Sequence, residues 1–425
     1  MKNQPETIAV PEESKFQSTR FILLFAGVLL LALWAVIWAI SLSKNHLVIG
    51  KYTQIPCWPN LSCDFDINYC AARTWLAGGD PYQSVIKGLA FRYDHPPLVL
   101  VLFSWCFLIP HPIAIILWFS VQTAVFAFAV LACRRSRQEL NLFNVPLPLL
   151  LAAVLFSFPV LFEMERGNWN ILVLLFLLLT VTALRGRSLF CDILAGVCAG
   201  VAAWIKVYPA LFLIGFLALR RWRAASFFAV AVILIGLANI RGVMEFAANI
   251  KESARTSTPD YEGGFIAWSH TVSGSWALFC RINRLSLLER LPGTAGWGVL
   301  VFPLVVWVSY WIARVPNPSR LIYPYFLWLI ASATYLPPIA NDYSLFFLPL
   351  AALAVWDRRD KVYVHVLMAF MLMWWQPIWP PVSSKFLFYS KLVGLGSVAL
   401  ILVIRAWEQI KVGCEVERIP AASHI

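Results

Sequence analysis

The chain is built from long apolar runs separated by short polar connectors. Phe21–Ile40 is one unbroken run of about 20 residues, the length a helix needs to cross a bilayer. Apolar runs of this kind are read at 21–41, 112–133, 146–162, 168–184, 189–205, 207–220, 224–240, 294–313, 321–336, 342–356, 362–376 and 386–405. Several fall short of the ~17–25 residues of a full span, so tilted, merged or extended helices are expected among them. Segments 96–110 and 265–283 are apolar but short, and each is either a span or a helix lying at the interface. Barrel strands would alternate apolar and polar residues over short stretches, and these runs do not. The pattern predicts an all-α fold, a polytopic transmembrane helical bundle of about 12 spans. It forms a single integral membrane domain over 1–425. Two connectors are long: a first outer loop at 43–95 and a second at 241–293.

Composition sharpens this reading. Of 425 residues, 60% are hydrophobic and only 13% are charged, about half the ~25% usual in soluble domains. A soluble fold and a disordered chain are both excluded. A charge at mid-bilayer costs about 2.5–3.5 kcal/mol or more, so the place of each charge carries information. Lys and Arg outnumber Asp and Glu by 34 to 22. The basic residues cluster between apolar runs, at Arg134–Arg137, Arg185–Arg187, Arg220–Arg223, Arg314–Arg320, Asp357–Lys361 and from Arg405 onward. Such clusters mark cytoplasmic loops rather than nucleic-acid binding. Alternation from a cytoplasmic N-terminus satisfies every cluster, provided 96–110 does not cross. The connectors 43–95, 163–167, around Lys206, 241–293, 337–341 and 377–385 then lie outside. The nine cysteines lack metal-binding spacing. Cys57 and Cys63 share the first outer loop, either as a disulfide or as two free thiols.

Four polar constellations fall on that outer side. In the first loop Asp64 is followed by Asp66, Tyr69 and Arg73 at helical spacing. Gly78-Gly79-Asp80-Pro81 ends that helix, and short helices of this loop are expected at the interface. A carboxylate at a membrane-facing cavity can act as a general base, accepting the proton of an attacking hydroxyl. Surface carboxylates on a structured loop are the plainer reading. Next, Glu163 to Asn170 places three charges and two amides in eight positions. They are expensive beside lipid, so they line a polar pocket or pair with one another. Lys206, in Trp204-Ile205-Lys206-Val207-Tyr208-Pro209, either snorkels or binds an anionic group such as a lipid phosphate. Asp342 enters an apolar run after Pro337-Pro338, where a helix dipole also favours a carboxylate. A weaker cluster surrounds His270. Falling on one side together, these groups favour a single outward-facing polar site.

The motifs also recur in an order with a precedent. They run Asp64-Phe65-Asp66-Ile67-Asn68-Tyr69-Cys70-Ala71-Ala72, Leu76-Ala77-Gly78-Gly79-Asp80-Pro81-Tyr82 and Phe91-Arg92-Tyr93-Asp94-His95-Pro96-Pro97-Leu98. Gly167-Asn168-Trp169-Asn170 follows, and then Ala195-Gly196, Gly200, Ala202-Ala203, Lys206 and Pro209 ahead of the basic cluster at Arg220. In this order and spacing, best over residues 60–225, the chain resembles the GT-C superfamily of polytopic glycosyltransferases, and within it glycosyltransferase family 87. The resemblance implies a GT-C-type bundle and a polyprenyl phosphate sugar donor, mannose or another hexose. It implies a lipid or glycan acceptor and inverting transfer at the outer face. Asp64 would be the base, with Asp66 its close competitor. Lys206, Arg166 and Tyr208 would hold the donor phosphate. Tyr69, Arg73, Tyr82, Tyr93, His95, Glu165, Asn168, Asn170, His270 and Asp342 would line the substrate. No metal or other cofactor is implied, since Lys and Arg can neutralise a departing monophosphate. The expected location is a bacterial plasma (inner) membrane with the site facing the periplasm. Asn168 stands where the family has Gln, and the segments at His270 and Asn341-Asp342-Tyr343 depart from its pattern, which leaves the sugar and the acceptor open. A transporter or lipid flippase would be expected to carry charges deep within its spans, whereas 21–40, 171–183 and 394–404 have none. A scaffold subunit would tolerate alanine at Asp64, Lys206 and Asn170.

Overall fold

The computed structural model describes residues 12–43, 62–83, 93–138, 146–256, 301–335, 342–355 and 384–417. Every regular element among them is helical, as lipid requires of open-ended segments that must satisfy their own backbone. In chain order these are α1 (Glu12–Ser43), α2 (Cys63–Leu76), α3 (Pro97–Phe103), α4 (His111–Gln138) and α5 (Leu147–Leu155). Next come α6 (Phe158–Arg166), α7 (Asn170–Leu184), α8 (Leu189–Ile205), α9 (Phe212–Ala218) and α10 (Trp222–Ala238). The last five are α11 (Ile240–Thr256), α12 (Phe302–Arg314), α13 (Ile322–Ala333), α14 (Phe347–Val355) and α15 (Ser384–Glu417).

The protein is a helical membrane protein, and several of its described helices are shorter than a full span. Among the described residues, three stretches are long and apolar enough to cross: Arg20–Leu42, His111–Arg134 and Val393–Lys411. Two more arise if bent pairs count as single spans, α5 with α6 (bent 65°) and α10 with α11 (bent 92°). The run at 146–162 breaks because Pro159 has no N–H to give and clashes with the turn before it. Pro209 acts likewise in the 207–220 run, which becomes a 3-10 turn at Tyr208–Leu211 followed by α9. Segment 96–110 forms α3 and a 3-10 turn at Ser104–Leu108. At about 10 Å, α3 cannot cross. Segments 265–283 and 362–376 lie outside the described residues.

The core is centred on α8, which packs against both α7 and α10. Its Gly196 and Gly200 explain the small-residue spacing seen in the sequence. A Cβ on Gly196 would meet the Ala224 carbonyl oxygen and Phe227 Cβ at 2.6 Å, and one on Gly200 would meet Ala231 Cβ at 2.7 Å. Small residues let helix backbones approach closely where lipid gives no hydrophobic drive to associate. α13 is apolar all round and buried along its whole length. α1 and α10 keep apolar side chains such as Phe21, Leu29, Ile233 and Leu237 exposed.

Two contacts bring the first loop onto this frame. α2 packs on α3, and the Ser62 N–H at its start donates to the Glu165 carbonyl at 2.8 Å. Beneath it, Trp169 sits against Phe103 and Trp118, with ring centroids 4.2 and 4.6 Å apart. Each such pair adds about 0.5–1.5 kcal/mol beyond the area it buries.

Candidate active site

The turn between α6 and α7 organises the polar groups. Gly167 takes a left-handed φ of 65°, the conformation that commonly ends a helix. Its N–H donates to the Glu163 and Met164 carbonyls, and its carbonyl accepts the Trp118 Nε1–H at 2.9 Å. A Cβ here would lie 3.0 Å from Phe65 Cβ and 3.1 Å from Ser62 Cβ. Glycine thus serves both the turn and the close seating of α2 upon it.

That seating sets Asp64 over the turn. Its Oδ1 accepts from Arg166 Nη2 at 2.6 Å, and its Oδ2 accepts from Asn168 Nδ2 at 2.5 Å. Both members of the ion pair are buried, with side chains 8% and 10% exposed. Asn168 Oδ1 accepts the backbone N–H groups of Trp169 and Asn170 at 2.7 and 3.3 Å. This fixes the amide so that its nitrogen faces Asp64. Asn170 is a second hub. Its Nδ2 donates to Glu163 Oε2 at 3.0 Å and Ser344 Oγ at 3.1 Å, and its Oδ1 accepts from Tyr208 OH at 2.5 Å. Glu163 is fully buried, and its Oε1 has no hydrogen-bond partner among the described residues.

Two further groups flank this one. Asp66 Oδ1 lies 2.8 Å from His111 Nε2, and the His111 ring packs edge-on to Tyr69 at 4.8 Å. Lys206, at the C-terminal end of α8, brings Nζ to 3.5 Å from His95 Nδ1, which Asp94 also contacts at 2.9 Å. Tyr82 OH donates to the His95 carbonyl at 3.3 Å and Tyr93 OH to the Pro96 carbonyl at 2.9 Å. Their rings are 5.3 Å apart. The buried Cys63 thiol is free and leans on Asp64. Burial, and then the Asp64 charge, push its pKa far above the usual range.

Most of the residues expected at the site therefore meet there. Asp64, Arg166, Asn168, Asn170 and Tyr208 form one connected network, with Glu165 contributing its backbone. Asp66 with Tyr69, and Lys206 with His95, Tyr82 and Tyr93, form its neighbours. Arg166 faces Asp64 rather than standing apart as an anion ligand. Arg73 is exposed in the last turn of α2. Asp342 begins the 3-10 turn that carries Ser344, and His270 and Cys57 lie outside the described residues. Ser344, His111 and Asp94 were not singled out in the sequence. A lone Ser in an apolar run and a His between two prolines give no periodic signal. Among the described residues, no cluster of three His, Cys, Asp or Glu is arranged to hold a metal ion.

No curated protein matches the chain. Residues 93–332 match glycosyltransferase family 87. That stretch exceeds half the chain and carries Arg166, Asn168, Asn170, His95, Lys206 and Tyr208, although it begins after Asp64. The chain belongs to glycosyltransferase family 87, and the protein is a helical membrane glycosyltransferase.

Proposed function

We propose that the protein moves a hexose, mannose among the candidates, from a polyprenyl phosphate donor to a hydroxyl of a lipid or glycan acceptor at the outer membrane face. The observation that carries this reading is the buried Asp64 carboxylate, fixed on both oxygens by Arg166 and Asn168. The acceptor oxygen attacks the anomeric carbon and its proton passes to Asp64. The bond from that carbon to the phosphate oxygen breaks, and polyprenyl monophosphate leaves with the electron pair. A single displacement of this kind inverts the anomeric centre. Lys206, linked through the 206–208 turn to Asn170, neutralises the charge that grows on the phosphate. Arg166 acts on the base rather than on the donor, holding the Asp64 carboxylate in place.

A second reading makes Asp66 the base, favoured by its contact with His111. The test compares Asp64→Asn and Asp66→Asn proteins incubated with a panel of polyprenyl phosphate sugars and membrane glycolipid extracts, with products read by mass spectrometry. Asp64→Asn is expected to lower transfer by about 10²–10⁴-fold, with Asp66→Asn losing much less. The reverse order would move the base to Asp66. Substrate flux across vesicles without any glycosidic bond formed would overturn the transferase reading.

A further inference from the structure

Far from the candidate site, three of the basic clusters meet in one cavity of about 540 Å³. It is lined by the ends of α7, α9 and α12 and the segments that follow them. Arg185, Arg187, Arg220, Arg221 and Arg314 converge on it, and no Asp or Glu is among its described lining residues. The candidate site lies at the start of α7 and this cavity at its end, about 22 Å away along 15 residues. The two therefore occupy opposite ends of the same helix.

The groups are held in place. Arg221 Nη2 donates to the Leu184 carbonyl at 2.7 Å and also to the Gly186 carbonyl. Its Nη1 approaches Asp192 Oδ1 at 3.6 Å. Arg221 thereby ties two chain segments together as the floor. Arg314 lies over the Tyr310 ring at 4.2 Å. Arg220 adopts a left-handed φ of 55°, a conformation glycine would take at less cost. Among the described residues, none of Arg185, Arg187, Arg220 and Arg314 has a carboxylate partner. Orientation in the membrane needs positive charge in each loop. It needs neither convergence on one concavity nor arginine throughout. Planar guanidinium forks suit phosphate oxygens, and basic pockets between helix ends at the membrane surface suit lipid headgroups.

We propose that this cavity binds the phosphate of an anionic phospholipid, on the face of the membrane opposite the candidate active site. The test uses the full chain in nanodiscs of mixed phosphatidylglycerol and phosphatidylcholine, with lipids retained after release counted by native mass spectrometry. Wild-type protein is expected to retain phosphatidylglycerol in preference to phosphatidylcholine. The R187Q/R314Q protein should hold it roughly 30-fold more weakly, as loss of two surface cations predicts. R187K/R314K, which keeps the charge but not the fork, should fall between them. Both arginines are exposed, so the melting temperature in phosphatidylcholine alone should not change. Equal retention of the two lipids by wild type, or equal retention of phosphatidylglycerol by wild type and R187Q/R314Q, would overturn the proposal. A measurement without variants adds inorganic phosphate as competitor. Weak competition supports a lipid ligand, whereas phosphate binding as tightly as the lipid would overturn the lipid assignment in favour of a soluble anion.

Discussion

Asp64 has little access to water, so its charge must be balanced within the protein, and Arg166 and Asn168 do this from a turn more than a hundred residues away. Removing one member of a buried pair leaves the other charge uncompensated, which costs about 3–5 kcal/mol. Arg166→Ala is therefore expected to lower the melting temperature of the purified protein sharply as well as its transfer rate. An unchanged melting curve would show that the pair is not needed for stability. Cys63 offers a milder probe. With its pKa raised, the thiol stays protonated at about pH 8 and is a poor nucleophile. Maleimide should modify Cys63 only after denaturation, which peptide mapping can check. Asp64 and Asp66 stood out in the sequence because carboxylates in a motif beside apolar runs are conspicuous. Their partners did not, since nothing local to Asp64 points to a residue 102 positions on. His111 was hidden for a different reason, because it opens an apolar run as a connector residue would.

At the level of elements, the apolar runs marked out helices, and prolines then cut several of them. Pro159 was visible in the run, yet nothing in the spacing of apolar residues tells whether a proline kinks a span or divides it by 65°. The small-residue pattern of α8 was legible as a motif, and its physical purpose emerged from what it touches. Gly196 meets α10 through backbone as well as side-chain atoms, so no rotamer change can make room there. Gly196→Leu is expected to push the two helices apart and to reduce folded yield and melting temperature. Gly396→Leu, at an open position, serves as the control and should change little. The bend between α10 and α11 has a further effect. It lays α11 against the first loop, where Phe246 packs near Tyr82 and Asn249 Nδ2 donates to the Tyr93 carbonyl at 3.3 Å. The high amphipathicity of α11 suits such a surface position, although all but its first residue falls within the long connector expected at 241–293.

The described residues combine three long apolar helices with six apolar helical segments of 10–17 residues. A helix of 12–15 residues covers only about 18–22 Å, less than the ~30 Å hydrocarbon core. Mismatch of this kind costs fractions of a kcal/mol per Å. Reconstitution in bilayers of shorter-chain lipids is therefore expected to preserve or raise the melting temperature, and longer-chain lipids to lower it; the opposite trend would mean that the short helices are shielded from lipid. Fold class was legible from composition and run length. Span count was not, because it depends on how short helices stack end to end, and run length alone does not report that. The Asp64–Arg166 pair also has a consequence in time. At synthesis rates of ~5–20 residues per second, the carboxylate exists for roughly 5–20 s before its guanidinium is made. Through that interval neither of its two folded-state partners on that turn exists, and water can solvate it. The first loop must therefore wait, hydrated, beside a growing set of helices, and it can close over the turn only once Asn168 has arrived. The polar centre is among the later parts of the fold to set, although its key carboxylate is among the earlier residues to be made.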